Sequence, residues 1–355
     1  MKRILFYINT LEHGGAERVI TNLANQFSAA GYAVDLATSF PCDFEYETSE
    51  NVNRINLFNS YINGGLKRNL KLFAALRKVI KINKPNVVVS FMREPNYRAI
   101  PACIGTKAKC FVSVRNDPNK EYRGKANKLL AKMLFRFADG VIFQTEDAKA
   151  WFPKSIQKKS TIILNQVDER FFKTKFDGER SNIVTVGRLQ PQKNHKLLIN
   201  AFDKIKDKTN QNLIIYGEGE LRQQLETLIN ELNLKDRVFL PGAISDVPNT
   251  IKSAELFVLP SDYEGMPNAL IEAMSLGLIC LSTDCPCGGP KALIESGVNG
   301  YLTPVKDCDL MAEAMLNALN RGKEQKEQLI CNVLKTAENF KSDIIFKKWE
   351  EYLIH

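Results

Sequence analysis

Short apolar runs alternate with helix-length segments along nearly the whole chain. The first half carries such runs at 4–8, 34–38, 52–57, 87–91, 111–114, 141–144 and 161–164. Amphipathic or apolar helical stretches lie between most of them, a pattern that predicts βα units around a mostly parallel sheet. A polar connector at 165–168 leads into a charged passage near 173–180, and the pattern restarts with runs at 183–186, 213–216, 238–240, 256–259 and 279–282. The natural reading is α/β: two successive doubly wound domains, residues 1–168 and 169–340. The closing stretch, about 341–355, reads as a helix with one apolar face that packs back on the first domain. Ligands of open α/β sheets bind beyond the carboxyl ends of the strands. Two such domains facing one another would place a ligand in the cleft between them.

A length of 355 residues suits two domains, and no apolar run is long enough to cross a bilayer. The opening residues 1–9 read as a first core strand and not as a secretory leader. Their apolar run is short and flows into Gly14-Gly15-Ala16-Glu17-Arg18 without a cleavage pattern. Eight cysteines without a Cys-x-x-Cys pair are free-thiol usage in a reducing compartment, which argues against a disulfide framework or a zinc site. The net charge of +9 is uneven: residues 1–165 carry 26 Lys/Arg against 13 Asp/Glu, and residues 166–355 carry 23 against 27. Basicity confined to the first half suggests an anionic partner: nucleic acid, acidic lipid or a phosphorylated substrate.

Three loops after strands carry candidate chemistry. Leu11 to Arg18 places paired glycines at a strand-to-helix turn, where backbone amides can approach a phosphate; a plain tight turn is the alternative. It matches neither Gly-x-Gly-x-x-Gly nor a Walker loop. Val184 to His195 presents Gly187, Arg188 and Lys193 on one loop. Arginine can fork onto two phosphate oxygens, and lysine adds a mobile point charge. Asn194 could cap the helix that begins near His195. A solvated basic loop is the competing reading, and the position of both cations at a strand's carboxyl end weighs against it.

Ser261 to Glu272 follows the apolar run 256–259 and leads into a helix. Glu264 falls on the turn, Gly265 lets the backbone approach a ligand, and Pro267 suits the first helical position. Glu272 then lies on the helix so opened. Helix carboxylates are usually surface decoration, but two acids beside exposed helix amides form a layout for a polyhydroxylated, phosphate-bearing ligand.

Gly-Gly-Ala-Glu-Arg, Val-Gly-Arg-Leu-x-Pro-x-Lys-Asn, the Tyr-Gly-Glu-Gly-Glu-Leu-Arg string at 216–222, Pro241-Gly242 and Glu-Gly-Met-Pro-Asn-Ala-Leu-Ile-Glu occur in this order. Thr283 to Pro290 and Gly297 to Leu302 follow. Together they resemble a family 4 retaining glycosyltransferase of GT-B fold, and especially bacterial enzymes that extend lipid-linked surface glycans. The resemblance spans the chain and is densest in the second half. It implies a nucleotide-sugar donor bound chiefly by the second domain and an acceptor bound by the first. Arg188 and Lys193 would hold the donor diphosphate and stabilise the charge on the departing nucleoside diphosphate. Glu264 would bind sugar hydroxyls, Gly265, Met266, Pro267 and Asn268 would orient the sugar and diphosphate, and Glu272 would accept from the ribose. Gly15 would offer its amide from the opposite wall, Gly187 belongs to the same phosphate loop, and Ala243 and Ile244 would cradle the base. Retention in the family is attributed to same-face attack, with the departing phosphate taking the acceptor proton.

Relatives often carry a histidine after the strand matching 111–114, and here Arg115 takes that place. An arginine cannot serve as a base near neutrality, but it can contact a sugar or phosphate oxygen. Asp307-Cys308-Asp309 spells a string that elsewhere holds a metal, but a helix follows it, so capping is the reading here. No metal and no cofactor are expected. His13, His195 and His355 read as turn, helix-start and tail residues.

Two helices carry basic stripes. One has Lys67, Lys71 and Lys78 opposite Leu66, Leu70, Phe73 and Ile80; the other has Lys125, Lys128, Lys132 and Arg136 beside Leu129, Met133 and Phe137. Solvation is the ordinary role of such charge, whereas two stripes in the basic half suggest anionic lipid. Nucleic acid is disfavoured, since no recognised binding motif is present. The expectation is a cytoplasmic, peripherally membrane-associated enzyme that moves a hexose or N-acetylhexosamine from a UDP-type donor to a lipid-diphosphate-linked glycan. A UDP-sugar epimerase of the same architecture and a non-catalytic nucleotide-sugar-binding subunit are the alternatives.

Overall fold

The protein is described by a computed structural model covering residues 2–12 and 14–355; His13, read above as a turn residue, lies outside them. The chain forms two compact units, Met1–Asn165 with Ile345–His355, and Gln166–Ile344. The sequence reading put the boundary at 168 and began the returning helix near 341.

In the first unit the strands are β1 (Arg3–Ile8), β2 (Ala33–Thr38), β3 (Val52–Asn56), β4 (Val87–Phe91), β5 (Lys109–Ser113), β6 (Gly140–Phe143) and β7 (Ser160–Ile162). All pair in parallel, in the order β3-β2-β1-β4-β5-β6-β7. β4 and β6 are buried along their whole length. Both sheet faces are covered, which is why these strands read as continuous apolar runs instead of alternating ones. The helix Gly15–Ala29 buries Val19, Ile20, Leu23, Ala24 and Phe27 against this sheet.

From Ile345 onward the helix Ser342–Ile354 belongs to the same core. Ile345, Trp349 and Leu353 recur at helical spacing and are buried. Trp349 stacks on Phe91 with ring centroids 5.7 Å apart, and Tyr352 Oη donates to the Lys159 carbonyl at 2.6 Å. Tyr32 Oη donates to Glu350 Oε1 at 2.9 Å. This helix therefore closes the sheet that the first strand opened.

The second unit contains β8 (Ile183–Val186), β9 (Leu213–Tyr216), β10 (Val238–Gly242), β11 (Leu256–Leu259), β12 (Ile279–Thr283) and β13 (Tyr301–Thr303). They are parallel, in the order β10-β9-β8-β11-β12-β13. β13 was not foreseen from sequence, being only three residues long. In each sheet the chain winds one way for three strands and then returns to start the other half beside its first strand. The neighbours β8 and β11, like β1 and β4, therefore flank a topological switch point, where the loops diverge and leave a crevice at the carboxyl edge.

Two helices differ from the sequence reading. In Gly65–Asn83 the buried face is Leu72, Leu76 and Ile80, while Leu66 and Leu70 are exposed. In Lys125–Leu134 only Ala131 is buried, and Leu129, Leu130 and Met133 face solvent. Amphipathic spacing shows that one side is apolar but not that this side meets the core.

Candidate active site

The switch point of the second unit brings together residues far apart in sequence. The loop after β8 carries Gly187, Arg188 and Lys193; the loop after β11 carries Glu264. Adjacent parallel strands lie about 4.8 Å apart, so these loops start side by side. Lys193 Nζ donates to Glu264 Oε1 at 2.6 Å, with the lysine 18% and the carboxylate 8% exposed. The carboxylate also accepts from Ser261 Oγ at 2.7 Å and from Gln192 Nε2 at 3.4 Å. Three donors thus fix a nearly buried carboxylate, which would otherwise be costly to keep charged.

The two loops are further stitched by their backbones. The Asp262 amide donates to the Gln192 carbonyl at 2.9 Å, and Asn194 Nδ2 donates to Asp262 Oδ1 at 2.8 Å. Gln192 Nε2 also donates to the Tyr263 carbonyl at 2.9 Å. Asn194 adopts a left-handed conformation (φ 45°), and its side chain accepts from the Leu197 amide at 3.3 Å to cap the helix His195–Asp203. The lysine stem passes over Gly187, where an added Cβ would stand in ordinary van der Waals contact, 3.5 Å from Lys193 Cδ.

Glycines set the remaining approaches. Gly217, at the end of β9, holds φ 146°, and a Cβ on it would lie 2.0 Å from the Gly187 carbonyl oxygen. Gly289 opens the helix Gly289–Leu293, where a Cβ would stand 1.7 Å from the Gly265 carbonyl oxygen. Side chains at either place would push the loops apart. The Glu264 amide donates to the Pro286 carbonyl at 2.7 Å, and its carbonyl accepts from the Cys287 amide at 3.0 Å. The turn is therefore clamped to the loop after β12 as well.

Pro267, expected at the first helical position, is the N-cap instead; the helix is Asn268–Ser275. Met266 and Glu272 are buried, and Glu272 lies one turn beyond Asn268 on the same helix. Ala243 is exposed and Ile244 half-buried at the carboxyl end of β10, two strands from β8. Arg188 is exposed, and among the described residues its side chain forms no hydrogen bond or ion pair. A cation without a partner thus stands on the loop whose other cation is neutralised by Glu264.

His195 begins its helix, as read, but it is buried beneath the loop. Burial lowers its pKa to about 4, with the Arg188 and Gly187 carbonyls opposing the shift and Lys193 adding to it. The ring is neutral under ordinary conditions.

In the first unit, Gly15 opens its helix directly after Gly14. Arg115 is buried: Nη2 donates to Asn165 Oδ1, and the guanidinium lies 4.8 Å over the Phe91 ring. Among the described residues its Nη1 is buried without a partner. Desolvation lowers its pKa, and Glu17 opposes that shift. Asp307 accepts from the Leu310 amide at 2.9 Å, which makes it a helix cap.

Several site residues were missed in the sequence. Ser261 and Gln192 orient Glu264, and the only signal for Ser261 was its place three residues before that glutamate. At the first unit's switch point, buried Arg98 donates to Tyr7 Oη at 3.0 Å, Asn9 Oδ1 at 2.8 Å and Glu94 Oε2 at 2.9 Å. No local motif marks that network, because its members come from β1, from the residue Asn9 just after it, and from the helix Arg93–Cys103.

The chain is similar to known proteins in sequence and fold. Residues 166–335 match the family described as glycosyl transferases group 1, and residues 13–171 match glycosyltransferase family 4. The chain is 30% identical over 350 residues to an N-acetylgalactosamine-N,N'-diacetylbacillosaminyl-diphospho-undecaprenol 4-alpha-N-acetylgalactosaminyltransferase of Campylobacter jejuni, covering 92% of each chain. It is 30% identical over 288 residues to a UDP-Gal:alpha-D-GlcNAc-diphosphoundecaprenol alpha-1,3-galactosyltransferase of Escherichia coli, covering 74% of this chain and 73% of that one. A crystal structure of an Anabaena protein in complex with UDP-glucose shares the fold with a TM-score of 0.81 at 18% identity, covering 99% of both chains. The two parallel-sheet units are those of the GT-B fold, and the chain belongs to glycosyltransferase family 4.

Proposed function

We propose that this glycosyltransferase moves a hexose or N-acetylhexosamine from a UDP-linked donor to a lipid-diphosphate-linked glycan in bacterial surface-glycan assembly. The observation that carries this reading is the Lys193–Glu264 pair beside unpartnered Arg188 at the switch point of the second unit. The named Campylobacter and Escherichia coli relatives act on diphospho-undecaprenol-linked sugars, which supports the acceptor class.

In this reading residues 169–340 bind the donor and residues 1–168 the acceptor. Arg188 and Lys193 hold the diphosphate, with Gly187 on the same loop beneath the lysine stem. When a phosphate draws Lys193 away, the Glu264 carboxylate exchanges that partner for the sugar hydroxyls, still oriented by Ser261. Gly265, Met266, Pro267 and Asn268 shape the turn that receives the sugar and diphosphate. Glu272 accepts from the ribose, and Ala243 and Ile244 flank the base. In the first unit, Gly15 and Arg115 are the groups assigned to substrate, with Arg115 Nη1 as the spare donor.

As the glycosidic bond breaks, negative charge grows on the β-phosphate, and the two cations stabilise it where it forms. The departing phosphate takes the proton of the acceptor hydroxyl, which attacks from the same face, so an α-linked donor gives an α-linked product. No enzyme nucleophile is required. The basic first unit is assigned to the inner face of an anionic membrane, where the acceptor lipid resides.

The test is a mixture of purified protein, UDP-sugars and lipid-diphosphate acceptor. Acceptor-dependent release of UDP is the expected result, with large losses in Arg188→Ala, Lys193→Ala and Glu272→Ala. Full activity in all three variants would refute the site. Interconversion of free UDP-sugars without acceptor would indicate an epimerase instead.

A further inference from the structure

The loop after β9 carries a carboxylate between the cationic loop after β8 and the residues that follow β10. Gly217, Glu218 and Gly219 make up that loop. The Glu218 carbonyl accepts at 2.8 Å from the amide of Leu189, the residue after Arg188. On the other side the Gly217 amide donates at 2.9 Å to the carbonyl of Gly242, the residue before Ala243. Adjacent strands lie about 4.8 Å apart, so the ends of β8 and β10 are separated by roughly 10 Å, with β9 between them. A nucleoside diphosphate laid from the Arg188 loop to Ala243 would pass over Glu218.

Glycine gives the side chain its place against β10. At Gly242 (φ 97°) an added Cβ would stand 2.9 Å from Glu218 Oε1, so a bare backbone is what leaves room for the carboxylate. At Gly219 a Cβ would lie 2.5 Å from the Leu189 carbonyl oxygen, which keeps this loop close to the one bearing Arg188.

Arg222, at the start of the helix Arg222–Glu231, fixes that carboxylate. Its Nη1 donates to Glu218 Oε1 at 2.7 Å and its Nη2 to the Leu240 carbonyl at 2.8 Å, while Nε lies 2.9 Å from Glu226 Oε1. Opposite charges four apart on a helix are ordinary surface pairs worth little. Glu218, however, precedes the helix, and the guanidinium is also tied to the backbone of β10, so the arginine is oriented from three sides. Among the described residues Glu218 Oε2 forms no hydrogen bond. The side chain is 53% exposed, so one oxygen is held and the other stands open as an acceptor at the carboxyl edge.

We propose that Glu218, positioned by Arg222, selects the base of the donor by accepting the ring N3–H of uracil on Oε2. Uracil carries a proton on that nitrogen, whereas cytosine carries a lone pair there. An ionised carboxylate offers only acceptors, so it bonds the first base and opposes the second. A site built around a hydrogen bond rejects an analogue without the matching donor more strongly than shape alone does. This rests on the donor reading of residues 169–340 and deepens it: Ala243 and Ile244 flank the base, and Glu218 reads its edge.

The experiment is calorimetric titration of UDP and of CDP, at neutral pH, into the full chain and its Glu218→Gln and Arg222→Met variants. The two ligands carry the same diphosphate, so the ratio of their affinities isolates the base. The wild type prefers UDP by at least ~10-fold. Glu218→Gln brings the two affinities within about threefold of one another, because an amide can turn either its oxygen or its NH2 to the ring. Arg222→Met keeps the carboxylate but frees it, and gives an intermediate ratio. Equal affinities in the wild type, or a preference for UDP that survives in Glu218→Gln, would overturn the proposal. A wild-type ratio in Arg222→Met would overturn the positioning role of the arginine. These results leave the donor reading standing, since UDP still binds; a wild type that binds neither nucleotide would overturn both.

Discussion

Lys193 and Glu264 meet at 2.6 Å although 71 residues separate them in sequence. Each arrives on the loop after a strand, and the strands are neighbours only because the sheet reverses its winding between β8 and β11. The ion pair is therefore a direct product of topology. It stores a lysine and a carboxylate in matched, partly dehydrated positions before any donor arrives.

Breaking that pair from one side leaves a nearly buried charge without its counter-ion. Lys193→Ala should lower stability by about 1–3 kcal/mol, discounted from the cost for a fully buried pair because the lysine is partly exposed. Lys193→Ala combined with Glu264→Gln should recover much of that loss while remaining inactive. Urea denaturation of the two single variants and the double variant measures the coupling. Additive losses would show that the pair does not interact.

Ser261 orients the carboxylate from beneath. Ser261→Ala should cost about 1–2 kcal/mol of transition-state stabilisation, on the order of tenfold in kcat/KM for the donor. Initial rates at varied donor concentration provide the check, and unchanged kinetics would remove Ser261 from the site.

The buried imidazole of His195 makes stability depend on acidity in a set direction. Its pKa is lowered to about 4 in the folded protein, against about 6.5 unfolded. Between these values the unfolded chain binds the proton and the folded chain does not. Stability is therefore complete above about pH 6.5 and falls as pH drops toward 4. His195→Gln should flatten this part of the curve, with the difference reaching on the order of 2–3 kcal/mol at the acid end. Thermal melts of both proteins across that range test the sign.

Glu121 has the opposite dependence. Its carboxylate is buried, and burial raises its pKa to about 7, with Arg93 opposing the shift. A carboxyl whose folded pKa lies above its unfolded value contributes stability that is complete below about pH 4.5. That contribution disappears as pH rises through 7. Glu121→Gln should therefore be the more stable protein at pH 8 and lose its advantage near pH 4.

The architecture was largely legible because strands covered on both faces read as unbroken apolar runs, as in β4 and β11. Their ends shifted by a residue or two, and β13 was too short to carry a pattern. The loops with Arg188, Lys193 and Glu264 stood out because glycine and proline interrupt the apolar runs there. What sequence did not reveal was mutual placement. Gln192 reaches Glu264 from another loop, Ser261 turns onto it from the same loop, and Arg98 joins Tyr7 and Asn9 from another element. Nor did it tell which apolar helix face is covered: Leu66 and Leu129 have the spacing of core residues and remain in solvent.

The account rests on Arg188 and Lys193 acting together on a nucleotide diphosphate. Calorimetric titration of UDP into the wild type, Arg188→Ala and Lys193→Ala measures this directly. Loss of one charge-assisted phosphate contact should weaken binding by about 1.5–3 kcal/mol, roughly 10- to 150-fold, in each variant. Equal UDP affinity in all three proteins would contradict it.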